Sequence, residues 1–173
     1  IGLWGAASIV VESDLLAAAR GLQTGEAALV LILGTGMNAG YWDSGHLFQP
    51  MPSLGWVLGD EGSGADIGKA LLQDAFHHRM PEELRLALFG QDGPKAPEVL
   101  QRIHGSAFPS RELAAYTGLL KEHVGEAYVR DLLRSRFHAL VEVLEVHFTA
   151  EQRASVLATG SVAWGFREVL AEC

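Results

Sequence analysis

An unbroken apolar run from Ala27 to Leu33 has the length and continuity of a buried strand. A different rhythm governs the stretch from Gly125 to Phe148, where Val129, Leu132, Leu133, Phe137, Leu140, Val141, Leu144 and Phe148 recur at helical spacing. One face of a long helix there is predicted to pack on the core. Asn38 to Trp42 and Leu47 to Gln49 flank Asp43-Ser44-Gly45 and read as a hairpin. Ala7 to Glu12 reads as a short strand and Leu15 to Leu22 as a helix, with Gln23-Thr24-Gly25-Glu26 a turn or hinge. Helix is expected again from about Ser63 to Arg79, after which Pro81, Pro94, Pro97 and Pro109 divide the chain into short helices, the pattern of a helical insertion. Ala154 to Leu157 returns as strand, Gly160-Ser161 turns, and Val162 to Ala171 forms the last helix. That order of elements belongs to the α/β class.

Two glycine-dense turns carry the candidate chemistry. Gly34-Thr35-Gly36 follows the apolar strand, where backbone amides and a hydroxyl can cradle phosphate, although a lone Gly-x-Gly is also the mark of a tight β-hairpin. It is not the dinucleotide fingerprint, since the next glycine, Gly40, falls one position late and the residues after Gly36 read as strand. The second turn, Gly55 to Gly64, places Asp60 and Glu61 just before a helix. These carboxylates could accept hydrogen bonds from the hydroxyls of a polyol or serve only to cap the helix. Trp56 could wall a sugar ring or belong to the core. Asp14, at a strand end, is a candidate general base or the cap of the Leu15 helix, a role Ser13 could also fill. Ser63 to Ala70 falls short of a P-loop, lacking its first glycine and final hydroxyl. Gly64 and Gly68 are instead expected to allow close packing on the sheet, with Lys69 solvated. The seven histidines form no metal pattern; His77 and His78 are expected on diverging helix faces, and Arg134, Arg136, Glu142 and Glu145 on the wet face of the long helix.

Composition narrows the ligand. The 173 residues, 49% of them apolar, can bury a domain-sized core. A net charge of −8 with 13 Lys and Arg argues against a nucleic-acid footprint. A single cysteine, Cys173, precludes an intramolecular disulfide or a multi-cysteine metal site and fits a reducing, cytoplasmic location. No apolar run approaches a membrane span and no signal-peptide pattern opens the chain. The chain starts at Ile1 instead of Met and ends at Cys173 within a helical pattern, so truncation at both ends is expected.

Taken together, Val11 to Ala19, Leu31 to Asn38, Pro52 to Gly64 and Ala158 to Ala163 resemble the N-acetylglucosamine kinase and BadF/BadG group of the sugar kinase, actin and chaperone ATPase superfamily. The resemblance covers nearly the whole chain and implies a ribonuclease-H-like, actin-like ATPase domain over residues 25–173. A helical insertion would occupy about 75–125, and residues 1–24 would be the trailing edge of an N-terminal domain. It implies that Asp14 is the base for a sugar hydroxyl, that Gly34, Thr35 and Gly36 form a phosphate loop, and that Gly160 and Ser161 approach the adenosine. Met37, Asn38, Gly55, Trp56, Val57 and Asp60 would line a hexosamine pocket. The cofactors would be ATP and Mg2+, the partners a small-molecule sugar and ATP, with neither nucleic acid nor membrane, and a homodimer is compatible with it. Three departures stand out: Met37 replaces a usual serine, Val57 a frequent glycine, and the family's N-terminal Asp-Gly-Gly-Gly-Thr phosphate loop is absent, as is its C-terminal strand. The implied activity is amino-sugar phosphorylation by a longer protein, with the fragment itself inactive. The alternatives are a non-catalytic ATP- or sugar-sensing protein, or the activating ATPase of a 2-hydroxyacyl-CoA dehydratase, which the single cysteine disfavours.

Overall fold

The computed structural model describes residues 10–22 and 26–173. A four-stranded mixed sheet in the order β3-β2-β1-β4 forms its centre. β1 (Ala28–Leu33) pairs antiparallel with β2 (Met37–Asp43), which pairs antiparallel with β3 (His46–Phe48); β4 (Val156–Thr159) lies parallel to β1. The period of two along β1 divides the core. Leu29, Leu31 and Leu33 face a cluster built with Ala39, the helix α3 (Gly64–Phe76) and the helix α7 (Ala127–His147). Val30, on the opposite face, packs with Trp42 against Leu15 and Ala19 of α1 (Asp14–Gly21). Both faces of β1 are therefore covered, which is why its sequence is apolar without alternation.

Between α3 and α7 the chain forms α4 (Glu82–Phe89), α5 (Ala96–Gly105), α6 (Pro109–Thr117) and a 3-10 helix (Gly118–His123). Pro97 and Pro109 stand in the first turns of α5 and α6, where a missing N–H costs nothing. A separate apolar cluster joins Val99, Ile103 and Leu113 of these helices to Ala65 and Leu72 of α3. No helix among the described residues is long and apolar enough to cross a membrane.

Several local expectations change. Val10 to Ser13 form no strand: their side chains are exposed and they pair with no strand among the described residues; residues 7–9 and the 23–25 hinge lie outside the described residues. Gly55–Leu58 is a short helix, α2, within the glycine-rich turn. β4 starts at Val156, because Ala154 still closes a turn onto Glu151. The last helix is two, α8 (Ser161–Gly165) and α9 (Arg167–Leu170), parted at Phe166, whose fully buried ring anchors the bend. His77 and His78 follow the end of α3, with His78 in the left-handed region (φ 53°). Gly68 packs on α6 and not on the sheet: a Cβ there would stand 2.0 Å from the Leu113 carbonyl oxygen.

Arg136 is the largest departure from the expected wet face. It reaches from α7 to Asp66 in α3 through a fork of 2.8 and 3.2 Å, and the Asp66 side chain is only 7% exposed. Asp66 also accepts the Gly62 amide at 3.0 Å, while its own amide donates to Ser63 Oγ at 3.2 Å. This reciprocal cap explains why α3 starts where it does. By contrast Arg134 binds Glu172 at the surface. Arg136→Met should leave Asp66 buried without a cation and lower the unfolding free energy by about 3 kcal/mol, whereas Arg134→Met should cost far less. Urea denaturation of both variants tests this; equal losses would mean that the Asp66 fork is no more than a surface pair.

Candidate functional site

The parallel strands β1 and β4 end side by side, and each runs directly into a turn: residues 34–36 after β1 and 160–161 after β4. Gly160 (φ +110°) lies so close to β1 that a Cβ would stand 2.2 Å from the Leu33 carbonyl oxygen, so only glycine fits. In the 34–36 turn, the carbonyl of Gly34 accepts the Gly64 amide at 2.8 Å and that of Thr35 accepts the Ala65 amide at 3.0 Å. The first amides of α3 are thus satisfied by the turn itself. The amides of Thr35, Gly36 and Ser161 have no acceptor among the described residues. They are donors free for an anion.

Asp60 ties the second glycine-rich segment to the first. Its backbone is left-handed (φ 61°), and Oδ1 accepts the Met37 amide at 3.3 Å. A Cβ on Gly36 would come within 2.9 Å of Asp60 Oδ2, so the turn must carry glycine for the carboxylate to sit against it. Burial raises the Asp60 carboxyl above the ordinary carboxylate range, more than the Met37 amide lowers it, and the charge of Asp66 adds to the rise.

The 34–36 turn and Asp60 stand between two cavities of opposite character. One, of about 160 Å³, is lined by Met37, Asn38, Ser53, Asp60, Glu61 and His147 among others, and contains two carboxylates and no Lys or Arg. The other, of about 270 Å³, is lined by Gly34, Thr35, Arg111, Thr117, Lys121 and Ser161 among others, and contains two cations and no carboxylate. A larger hollow of about 620 Å³ between β4, α7 and α8 is lined mainly by apolar side chains, so it lacks the converging polar groups of the other two.

No protein-family model and no curated protein sequence matches the chain. Solved structures do. A putative N-acetylglucosamine kinase from Porphyromonas gingivalis superposes with a TM-score of 0.80 at 30% identity, over 92% of this chain and 56% of that protein. The chain is a structural relative of the putative N-acetylglucosamine kinases. A second such protein, from Chromobacterium violaceum, shares the fold with a TM-score of 0.63 at 22% identity, over 90% of this chain and 54% of its own. The chain therefore spans about half the length of these kinases, and the resemblance read in its sequence holds in three dimensions.

Against these kinases' likeness, the predicted site residues divide into groups. Met37, Asn38 and Asp60 line the acidic cavity, while Gly34, Thr35 and Ser161 line the basic one. Gly36 lies on the partition and Gly160 behind it. Gly55, Trp56 and Val57 line neither: Val57 is exposed, and Trp56 packs against the cluster of Ala65 and Leu113. Asp14 is exposed on α1, outside both cavities, where Oδ1 accepts the Leu15 amide at 2.8 Å and Ser13 supplies the cap. Sequence reasoning missed Ser53, His147, Arg111 and Lys121. Ser53 lies within the Pro52 to Gly64 segment but carries no signal of its own, and no local motif marks the other three, because α6, the 3-10 helix and the end of α7 meet the glycine turns only through packing.

The raised carboxyl of Asp60 sets a pH test. Folding disfavours its charged form, so the unfolded chain loses that proton first and stability should fall as pH rises from the ordinary carboxylate pKa through the folded value. Asp60→Asn keeps an oxygen for the Met37 amide and tolerates the left-handed backbone. It should abolish this fall and melt at or above the wild-type temperature near neutral pH. Thermal melts from about pH 4 to 7 read the effect; a variant less stable near pH 7 would show that the charge itself holds the turn.

Proposed function

We propose that the chain is the C-terminal part of an ATP-dependent amino-sugar kinase that transfers the γ-phosphoryl group to a hydroxyl of N-acetylglucosamine or glucosamine. The reading is carried by one observation: a single glycine turn separates an acidic cavity from a basic one. Carboxylates suit the many hydroxyl donors of a sugar, and cations with free amides suit phosphate. A phosphoryl group passing between two such ligands would cross at the turn. The likeness to the Porphyromonas protein supports the same reading.

On this reading residues 25–173 are a ribonuclease-H-like, actin-like ATPase domain with a helical insertion at about 75–125, and residues 1–24 are the trailing edge of a preceding domain. Asp60 and Asn38 orient the sugar, and Met37 lines the pocket while its amide holds Asp60 in place. Gly34, Thr35 and Gly36 hold phosphate through free amides and the Thr35 hydroxyl, and Gly160 and Ser161 border the nucleotide. Mg2+ would neutralise phosphate charge during transfer; the basic cavity has no carboxylate lining to hold it, so its ligand would come from elsewhere in the longer protein. Asp14 would take the proton of the sugar hydroxyl once the domains close and exclude water. The Gly55, Trp56 and Val57 segment would contribute from its short helix in the closed form.

Two outcomes test the proposal. In a longer protein carrying this chain, Asp14→Asn should lower turnover by about 10²–10⁴-fold with ATP affinity spared; near-normal turnover would return Asp14 to its place in the first turn of α1. Residues 1–173 alone should show no sugar-dependent ATP consumption in a coupled assay and at most weak nucleotide binding, since phosphoryl transfer depends on positioning and charge neutralisation from both sides. Robust turnover by these residues would overturn the two-domain reading.

A further inference from the structure

Most of the chain's 13 Lys and Arg are engaged by acids, including Arg79, Arg85, Lys95, Arg102, Arg130, Arg134, Arg136 and Arg153. Arg111 and Lys121 have no ion-pair partner among the described residues, although the chain carries 21 Asp and Glu. Both nonetheless line one cavity, Arg111 from the first turn of α6 and Lys121 from the 3-10 helix. Thr35 and Ser161, whose amides have no acceptor among the described residues, line the same cavity. The Lys121 stem runs beside α8, its Cε within ordinary contact distance (3.6 Å) of where a Cβ on Gly165 would lie. Thr117, between the two cations, is turned away from ligand duty: its hydroxyl donates to the Gly64 carbonyl at 2.6 Å and fixes α6 to the start of α3. The cationic wall is thereby held at a set distance from the glycine turn.

From this arrangement we infer that Arg111 and Lys121 are polyphosphate-binding residues, which together neutralise the diphosphate portion of a nucleotide seated between the 34–36 turn and Ser161. That the anion is a nucleotide rests on the kinase reading; that it is a polyphosphate rests on two unpaired cations and free amides converging in a cavity without carboxylates. In a chain of net charge −8, an anion is repelled at long range, so local cations must offset that field for it to bind at all. Arg111 offers a planar fork to two phosphate oxygens, and Lys121 a point charge.

Amide NMR titration of the 173-residue chain with pyrophosphate, ADP and adenosine tests the inference, because it reads weak binding residue by residue. Pyrophosphate and ADP should shift the amides of Gly34, Thr35 and Ser161. Arg111→Gln and Lys121→Gln should each weaken both ligands about tenfold and leave adenosine unaffected, while Arg111→Lys, which keeps the charge but not the fork, should recover only part of the loss. Arg20→Gln, on the opposite face of the sheet, makes the same change in net charge and should leave binding near wild type. The inference is overturned if pyrophosphate does not bind, if the cavity variants bind it as the wild type does, or if Arg20→Gln weakens it equally. Loss of pyrophosphate binding in the variants, with no preference of the wild type for ADP, would uphold the cation pair and sink the nucleotide. ADP binding that both variants leave intact would do the reverse.

Discussion

The first two amides of α3 donate to the carbonyls of Gly34 and Thr35, and much of the molecule is arranged around that junction. A helix start ordinarily presents unsatisfied donors to solvent or ligand. Here they are used to join helix to hairpin, so the turn's carbonyls point into the protein. Its remaining polar groups are amides and one hydroxyl. The junction thereby settles the sign of the ligand the turn can accept before any charged side chain is counted. It also brings α6 close, since Gly64 and Gly68 leave no side chain between the two helices and Thr117 bonds across them.

On the other side of the turn, Asp60 holds a left-handed backbone and a partly buried carboxyl. Both features cost stability. They are sustained by neighbours that have no direct contact with either cavity: the Ser63 cap, the Asp66 carboxylate and the Arg136 fork. A strained, desolvated acid supported by a rigid frame is the arrangement expected where function has been favoured over stability.

The sheet and long helices were legible in the sequence because each is written in a local period. Residues 27–33 form β1 at Ala28–Leu33, the alternation around Asp43-Ser44-Gly45 forms the second hairpin, and the spacing after Gly125 forms α7. The two glycine turns were legible from their glycine density beside a strand end and a helix start. What the sequence hid is tertiary. Arg136 looks like any polar position on an amphipathic helix, and only the depth of Asp66 turns it inward. Arg111 and Lys121 lie far along the chain from Thr35 and share a cavity with it because α6 packs on α3. Trp56 is ambiguous in sequence between wall and core, and its packing against Ala65 and Leu113 follows from a short helix that the glycines around it conceal.

Arg136 and Val143 are both on α7, and seven residues separate them. That is two helical turns, roughly 10 Å of rise, and it puts them on one face. Arg136 binds Asp66, which accepts the Gly62 amide and so anchors the loop that carries Asp60, while Val143 forms part of the acidic cavity's wall, with His147 four residues beyond. The long helix thus works as a ruler. Its pitch fixes how high the loop stands above the wall, and the dimension of the cavity is inherited from the geometry of a helix whose sequence carries no site motif. Insertion of one residue between positions 136 and 143 would rotate one contact by about 100° relative to the other, and the cavity would lose either its rim or its floor.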